Sequence, residues 1–323
     1  MRLTLFAVRN IGRNKRRSGA IVALIAFGSA ALLVAGGYAS ANFTGLREYV
    51  MARAETRVLG FLHIAAIGLS HLAIGEHCYL EYSNPDLAAS VARDHRDVVV
   101  GVKVRIQKEV VAEHGLEPLR RAIRAADAAG VPVIVHVNNP PVEYAEVLSL
   151  LRSGDIVSHF LHGRGSGILD GAGRIKEGVR EARRRGIVFD VAHGRNHVNF
   201  PVARKAFEEG FYPDSISSDL TRPGRASVVR DLPTTLSKFL SLEMPLGDVV
   251  RAATSTPARA IGRSGQLGSL APGAAGDAAV FAIEEGRFPY EDADGNVMEG
   301  AKRWAPRLTV RAGRVWWRRW PQS

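Results

Sequence analysis

Through its long middle stretch the chain returns again and again to one unit: a short run of β-branched and aliphatic residues, then a segment with helical periodicity. The strand-like runs are Val58–Ile64, Val98–Val104, Val133–Val137, Ile156–Phe160, Ile187–Val191 and Ser215–Ser218. Between them fall the helical patterns Glu117–Ala129, Tyr144–Leu151, Ile175–Arg185 and Val202–Glu209. Gly130, Gly186 and Gly210 each close a helix just before the next strand, where a left-handed backbone suits glycine best. Such alternation demands a parallel sheet covered by helices. An open doubly wound sheet and a (β/α)8 barrel both satisfy it. The polar residues decide between them. Lys103 (in VGVKV), His136 (VIVHV), His159 (IVSHF), His193 (FDVAH) and Asp219 (SISSD) sit at or just past the C-terminal ends of five different strands. A barrel brings those ends to one axis, whereas an open sheet would spread them sideways by about 4.8 Å per strand. The pattern predicts a barrel.

The residue types at those ends carry a chemistry. His136 and His159 offer imidazole nitrogens to a divalent metal and suit zinc. Asp219 can ligate, or take a proton from activated water. Lys103 lies between valines on a strand expected to be buried on both faces, where a bare ammonium is costly. Two readings relieve that cost: carbamylation by CO2, which makes it an anionic oxygen ligand, or pairing with Asp219 or another acid in the mouth. Arg105 shares the face of Lys103 by the period-two rule and either meets substrate or holds the rim in an ion pair. Asn138 is a candidate substrate contact. The glycine-rich run His162–Gly173 lacks the GK[ST] ending of a phosphate loop and reads as a loop beside the mouth.

Charge and composition narrow the function classes. The 323 residues carry a net charge of +11, with 43 Lys and Arg against 32 Asp and Glu. Six of those cations fall in residues 1–17 and seven after Glu299, which leaves 30 basic against 32 acidic residues between. A neutral body with basic ends is a poor nucleic-acid groove, which needs cations along one face with stacking aromatics; no nucleic-acid partner is expected. Cys78 is the sole cysteine, so no disulfide scaffold is available within the chain. A hydrophobic content of 46% excludes full disorder.

The N-terminus reads differently. No charge occurs from Ser18 to Leu46, and Ala20–Ala39 is almost wholly apolar, the length of about 20 residues that spans a bilayer as a helix. The preceding cations would hold its start in the cytoplasm; a signal peptide is the second reading, with Ala39-Ser40-Ala41 as a weak cleavage site. The stretch RNIGRNKRRSGAIVALIAFGSAALL also resembles the first transmembrane segment of ABC-transporter permeases of the lipoprotein-release type. The expectation is a hydrophobic helix and membrane contact through residues 18–41. Localisation then follows the segment: membrane-associated if it inserts, cytoplasmic otherwise.

At its strand ends and beyond, the sequence resembles the amidohydrolase superfamily of metal-dependent hydrolases, in the bacterial deacetylase branch near the dihydroorotases. The phrases that carry this are VVVGVKVRIQ, GVPVIVHVNNPP, GDIVSHFLHG, IVFDVAHG, PDSISSDL, DLPTTLSKFL, ATSTPARAIG and GSLAPGAAGDAAVF, preceded by the run from Asn42. The resemblance implies that Lys103 is the carbamylated lysine, that His136 and His159 bind one metal, that Asp219 is catalytic, and that His193 lies on the substrate side. It also implies a missing part. The family's first barrel strand carries a His-x-His pair for a second metal, and no His-x-His occurs here. The expected molecule is therefore an incomplete (β/α)8 TIM barrel lacking its first two strands. Residues 1–45 would form a basic leader and hydrophobic helix, 46–262 the barrel, and 263–323 a remnant of the C-terminal β-sandwich with a basic tail. Its expected activity is hydrolysis of an amide or ester bond of a small acylated substrate, with one Zn2+ site, the second lost, and a reduced rate. A membrane-anchored, non-catalytic fusion is the alternative.

Overall fold

The computed structural model describes residues 22–25, 30–35, 40–68 and 75–318. Its centre is a six-stranded sheet in the order β2-β3-β4-β5-β6-β7. These strands are β2 (Ala30–Ala35), β3 (Arg57–His63), β4 (Val99–Ile106), β5 (Val133–Val137), β6 (Ile156–Ser158) and β7 (Val188–Asp190). Each neighbouring pair is parallel, and helices lie in every connection between them, as in a TIM barrel. The run Ser215–Ser218 is no ladder strand, but it lies along the end of β7. Val191, His193 and Gly194 donate their N–H groups to the carbonyls of Ser215, Ser217 and Ser218.

The helices form where the sequence places them. Glu117–Ala129 buries Pro118, Leu119, Ala122, Ala125 and Ala126, one face of a 3.6-residue period, and Gly130 ends it at φ +68°. Gly186 and Gly210 likewise take φ +91° and +68°. Apolar residues of the outer sheet face, among them Val102, Val104, Val135 and Val157, join these helix faces in the main core.

The inner face is layered. Phe61, Leu59, Ile134 and Ile156 form a second, separate apolar cluster with Ala258 and Leu267. Above that floor the register lines up a polar row: His63 lies opposite Lys103, Arg105 opposite His136, His136 opposite Ser158, and Ser158 opposite Asp190. Paired residues of a parallel ladder point to the same face, so these side chains share the interior.

Two expectations about the N-terminus are corrected. The apolar leader is not a helix in its described parts: β1 (Val22–Ile25) and β2 are strands, and no helix among the described residues is long and apolar enough to cross a membrane. β2 pairs with β3 along Ala30–Ala35 and Arg57–Leu62, so the sheet extends one strand before the point where the incomplete barrel was expected to begin. β1 pairs antiparallel with β8 (Ala278–Glu291), which pairs with β9 (Val297–Arg311), followed by β10 (Arg314–Arg318). The sandwich remnant thus gains an N-terminal partner. The physical reason is the ladder: an unpaired β3 edge leaves a row of N–H and C=O groups without partners, and a continuous apolar run is also what a strand buried on both faces looks like.

Gly101 on β4 shows how tightly the floor is filled. A Cβ there would run into the Phe61 ring and stand 2.7 Å from the Pro132 carbonyl oxygen. Gly101→Ala is expected to lower stability by about 1–3 kcal/mol through overpacking, read as a fall in the urea denaturation midpoint with an unchanged slope.

Candidate metal centre

Three imidazoles meet above the apolar floor. His136 ends β5, His159 follows β6, and His197 comes from the loop after β7. One ring nitrogen of each lies within 4.8 Å of the other two. The ring centroids of His136 and His159 are 4.2 Å apart, and those of His159 and His197 3.9 Å. His159 reaches this point from a left-handed backbone, φ +69°, and Ala192 and Asp219 at neighbouring strand ends are also left-handed at +39° and +42°. Non-glycine residues held there are strained, and such strain concentrates at functional sites.

Hydrogen bonds set the tautomers. His159 Nδ1 is 2.7 Å from the Ala192 carbonyl oxygen; a carbonyl only accepts, so Nδ1 carries the proton and Nε2 keeps its lone pair. His136 Nε2 is buried with no hydrogen-bond partner. His197 Nδ1 lies 3.0 Å from the Asn138 side-chain nitrogen, while Asn138 Oδ1 is buried without a partner. A half-turn of that amide lets Oδ1 accept from Nδ1–H and frees His197 Nε2 as a lone pair. This is the arrangement a ligating histidine needs, with its second nitrogen held by a fixed acceptor. Burial is the main force that keeps all three rings neutral. It holds His136 and His159 well below the ordinary histidine range and His197 at about 3, each helped by the Lys103 cation and by neighbouring imidazoles. Neutral nitrogens aimed at one point, one of them orphaned, fit a divalent cation.

The other candidates surround this cluster. Lys103 is 5% exposed. Burial, then Arg105, brings its pKa down to about 7 against the opposing pull of Asp219, Glu76 and Asp190. Those acids act through space; among the described residues Lys103 makes no ion pair, so the pairing reading of its burial is not what the structure holds. Asp219 stands exposed at the rim. Its inner side is crowded: a Cβ on Gly194 would be 2.6 Å from Asp219 Oδ2 and 2.6 Å from His197 Cδ2. Desolvation on that crowded inner side, with the rest of the residue open to solvent, raises the Asp219 carboxyl pKa against the Lys103 and Arg105 cations. Asn138 is buried and touches His197. His193 is fully buried, with Nδ1 2.8 Å from the Gly194 carbonyl oxygen and Nε2 2.9 Å from Lys238 Nζ. Both its nitrogens are engaged, which leaves none for the substrate contact expected of it.

The sequence reading missed His197, which lies on no strand end; its one signal is the short HGRNH phrase after β7. It also missed Glu76. That carboxylate is buried, accepts from Arg105 and lies 3.1 Å from His63 Nε2. Burial opposes its ionisation, but His63 and Arg105 outweigh that and hold it at about 2. Arg105 therefore holds the rim by an ion pair.

Comparison with known proteins agrees with this geometry. Residues 88–315 match the amidohydrolase family. The chain is 33% identical over 285 residues to a deacetylase of Agrobacterium fabrum, covering 88% of this chain and 70% of that one. It is 30% identical over 267 residues to a deacetylase of Enterococcus faecalis, covering 82% and 72%. Among solved structures, an adenine deaminase superposes with a TM-score of 0.85 at 25% identity over 93% of this chain and 88% of that one, and a dihydroorotase with 0.79 at 30% identity over 89% and 76%. The chain belongs to the amidohydrolase family.

The neutral histidines give an acid limb to stability. Their folded pKa values lie below the ordinary 6.5, so below that pH the unfolded chain binds protons the folded chain refuses, and stability falls as pH falls. Metal-free protein is expected to lose denaturation midpoint steadily from pH 7 to 5; a flat profile across that range would contradict buried neutral rings.

Proposed function

We propose that this chain is a metal-dependent hydrolase that cleaves an amide or ester bond of a small acylated substrate. The observation that carries this is the convergence of His136, His159 and His197 on one point beside Asp219 and Lys103. The deacetylase names of its relatives support the reaction class. A divalent cation in that cluster, zinc by its affinity for imidazole donors, would polarise the acyl carbonyl and acidify a bound water. In this reading Asp219, at the rim, accepts the proton of the attacking water and returns it to the leaving nitrogen or oxygen. Its raised pKa brings it nearer to what a general acid and base requires. Asn138 and the Ala192 carbonyl hold the His197 and His159 rings in place. Lys103 has a second part in this reading. At pH 7 a lysine with a pKa of about 7 is about half free amine. The free amine adds CO2 to give a carbamate and a proton, placing an anionic oxygen in the mouth as a further donor. With no His-x-His pair in the sequence, the reading is a one-metal centre with a reduced rate.

Purified protein equilibrated with zinc is expected to hold about one equivalent, lost in His136→Ala and in His197→Ala. Asp219→Asn is expected to keep the zinc and lower kcat by about 10²–10⁴-fold on N-acetyl and O-acetyl test substrates. A zinc-loaded wild type that turns over none of a broad panel of acyl amides and esters would overturn the reading.

A further inference from the structure

Lys238 is the most deeply buried cation among the described residues, 1% exposed in the middle of the helix Leu232–Ser241. Nothing in the mechanism above uses it. Its Nζ has three partners: the Val228 carbonyl oxygen at 2.6 Å, the Glu291 carbonyl oxygen at 2.7 Å and His193 Nε2 at 2.9 Å. An ammonium has three N–H groups, and all three are used here. Its charge is met by carbonyl dipoles, with Asp292 and Glu291 acting only through space.

The direction of the bond to His193 follows from the far side of the ring. His193 Nδ1 faces the Gly194 carbonyl oxygen at 2.8 Å, so Nδ1 must carry the proton. In the neutral ring Nε2 is then a lone pair, and Lys238 donates to it. Gly194 in turn is the residue against which the site is built. It sits at φ +48°, its N–H donates to the Ser218 carbonyl at 3.0 Å, and the Asp219 carboxyl and the His197 ring occupy the space where a side chain on it would lie.

The anchor is itself bonded on both sides. Asp231 caps the helix by accepting from the Thr234 N–H at 2.7 Å, and Ser237, next to Lys238, accepts from the Trp304 N–H of β9 at 2.9 Å. The β8–β9 turn is tied down too, because Asp292 accepts from the Phe200 N–H at 2.7 Å. Lys238 thus joins the helix, the sandwich hairpin and the loop after β7 at a single atom.

We infer that Lys238 is a positioning residue of the metal centre: by donating to His193 Nε2 it holds the pose of the ring whose tautomer the Gly194 carbonyl selects, and through Gly194 it sets the seats of His197 and Asp219. This rests on the hydrolase reading for its purpose, but not for its geometry. Groups that hold ligands in place typically change metal affinity by about 10–100-fold when removed.

The test uses full-length protein labelled with [15N]histidine, with the His193 signals assigned through His193→Asn. In metal-free wild type, long-range 1H–15N NMR is expected to show His193 with Nδ1 protonated and Nε2 unprotonated. In Lys238→Met, Nδ1 is expected to stay protonated while the Nε2 resonance shifts or broadens through loss of its hydrogen bond, and a Co2+ titration followed by visible absorption is expected to show at least tenfold weaker binding. Wild-type protein with Nε2 protonated overturns the inference, and so does a folded Lys238→Met that keeps either the wild-type Nε2 shift or the wild-type cobalt affinity. If Lys238→Met does not fold, the wild-type tautomer decides alone. If the wild type binds no cobalt, the hydrolase reading fails separately, and the Nε2 shift in Lys238→Met still decides the link between Lys238 and His193.

Discussion

The parallel register of β3 to β7 is the constraint from which the site follows. A parallel ladder fixes which residues stand side by side, and the two-residue period fixes which way they face. Given the pairings His63 with Lys103, Arg105 with His136, and Ser158 with both His136 and Asp190, a polar tier above an apolar one is unavoidable. A slip of one residue would turn that tier into the outer core. Burial then imposes the electrostatics. Desolvation is the largest influence on His136, His159 and Lys103 alike, and in each case it disfavours the charged form. Groups that water would protonate are kept as lone-pair donors, which is the state a cation can use.

Much of this was legible in the residues themselves. Lys103, His136 and His159 were visible because each interrupts or ends an apolar run, where a polar side chain has no structural excuse, and Asp219 because it closes the strand-like run Ser215–Ser218. The helix stops were equally plain, since Gly130, Gly186 and Gly210 are where the backbone turns left-handed. His197 was not legible. It arrives by way of a loop whose course depends on the left-handed turn at Gly194 and on a bond to Asn138, a residue 59 positions away. Nothing local to HGRNH announces either.

The N-terminal run failed for a different reason. Uniformly apolar sequence has no period, so its composition suits a spanning helix and a doubly buried strand equally. What separates them is the demand of another element, the open edges of β3 and β8, which lies outside the run. The Glu76 cluster was hidden in the same way. Glu76 precedes His77 in an unpatterned loop, and its importance exists only once β3 and β4 bring His63 and Arg105 beside it. There it supplies the negative charge that offsets Arg105, close to a lysine that would otherwise feel the guanidinium undiminished.

The apolar tier beneath the histidines has a consequence for mutation. Phe61, Leu59, Ile134 and Ile156 form a closed layer below them, and at Gly101 the Phe61 ring and the Pro132 carbonyl already take the space a side chain would need. A side chain enlarged in that layer has to push β3 or β4 aside, and the next inward residues of those two strands are His63 and Lys103, paired with each other.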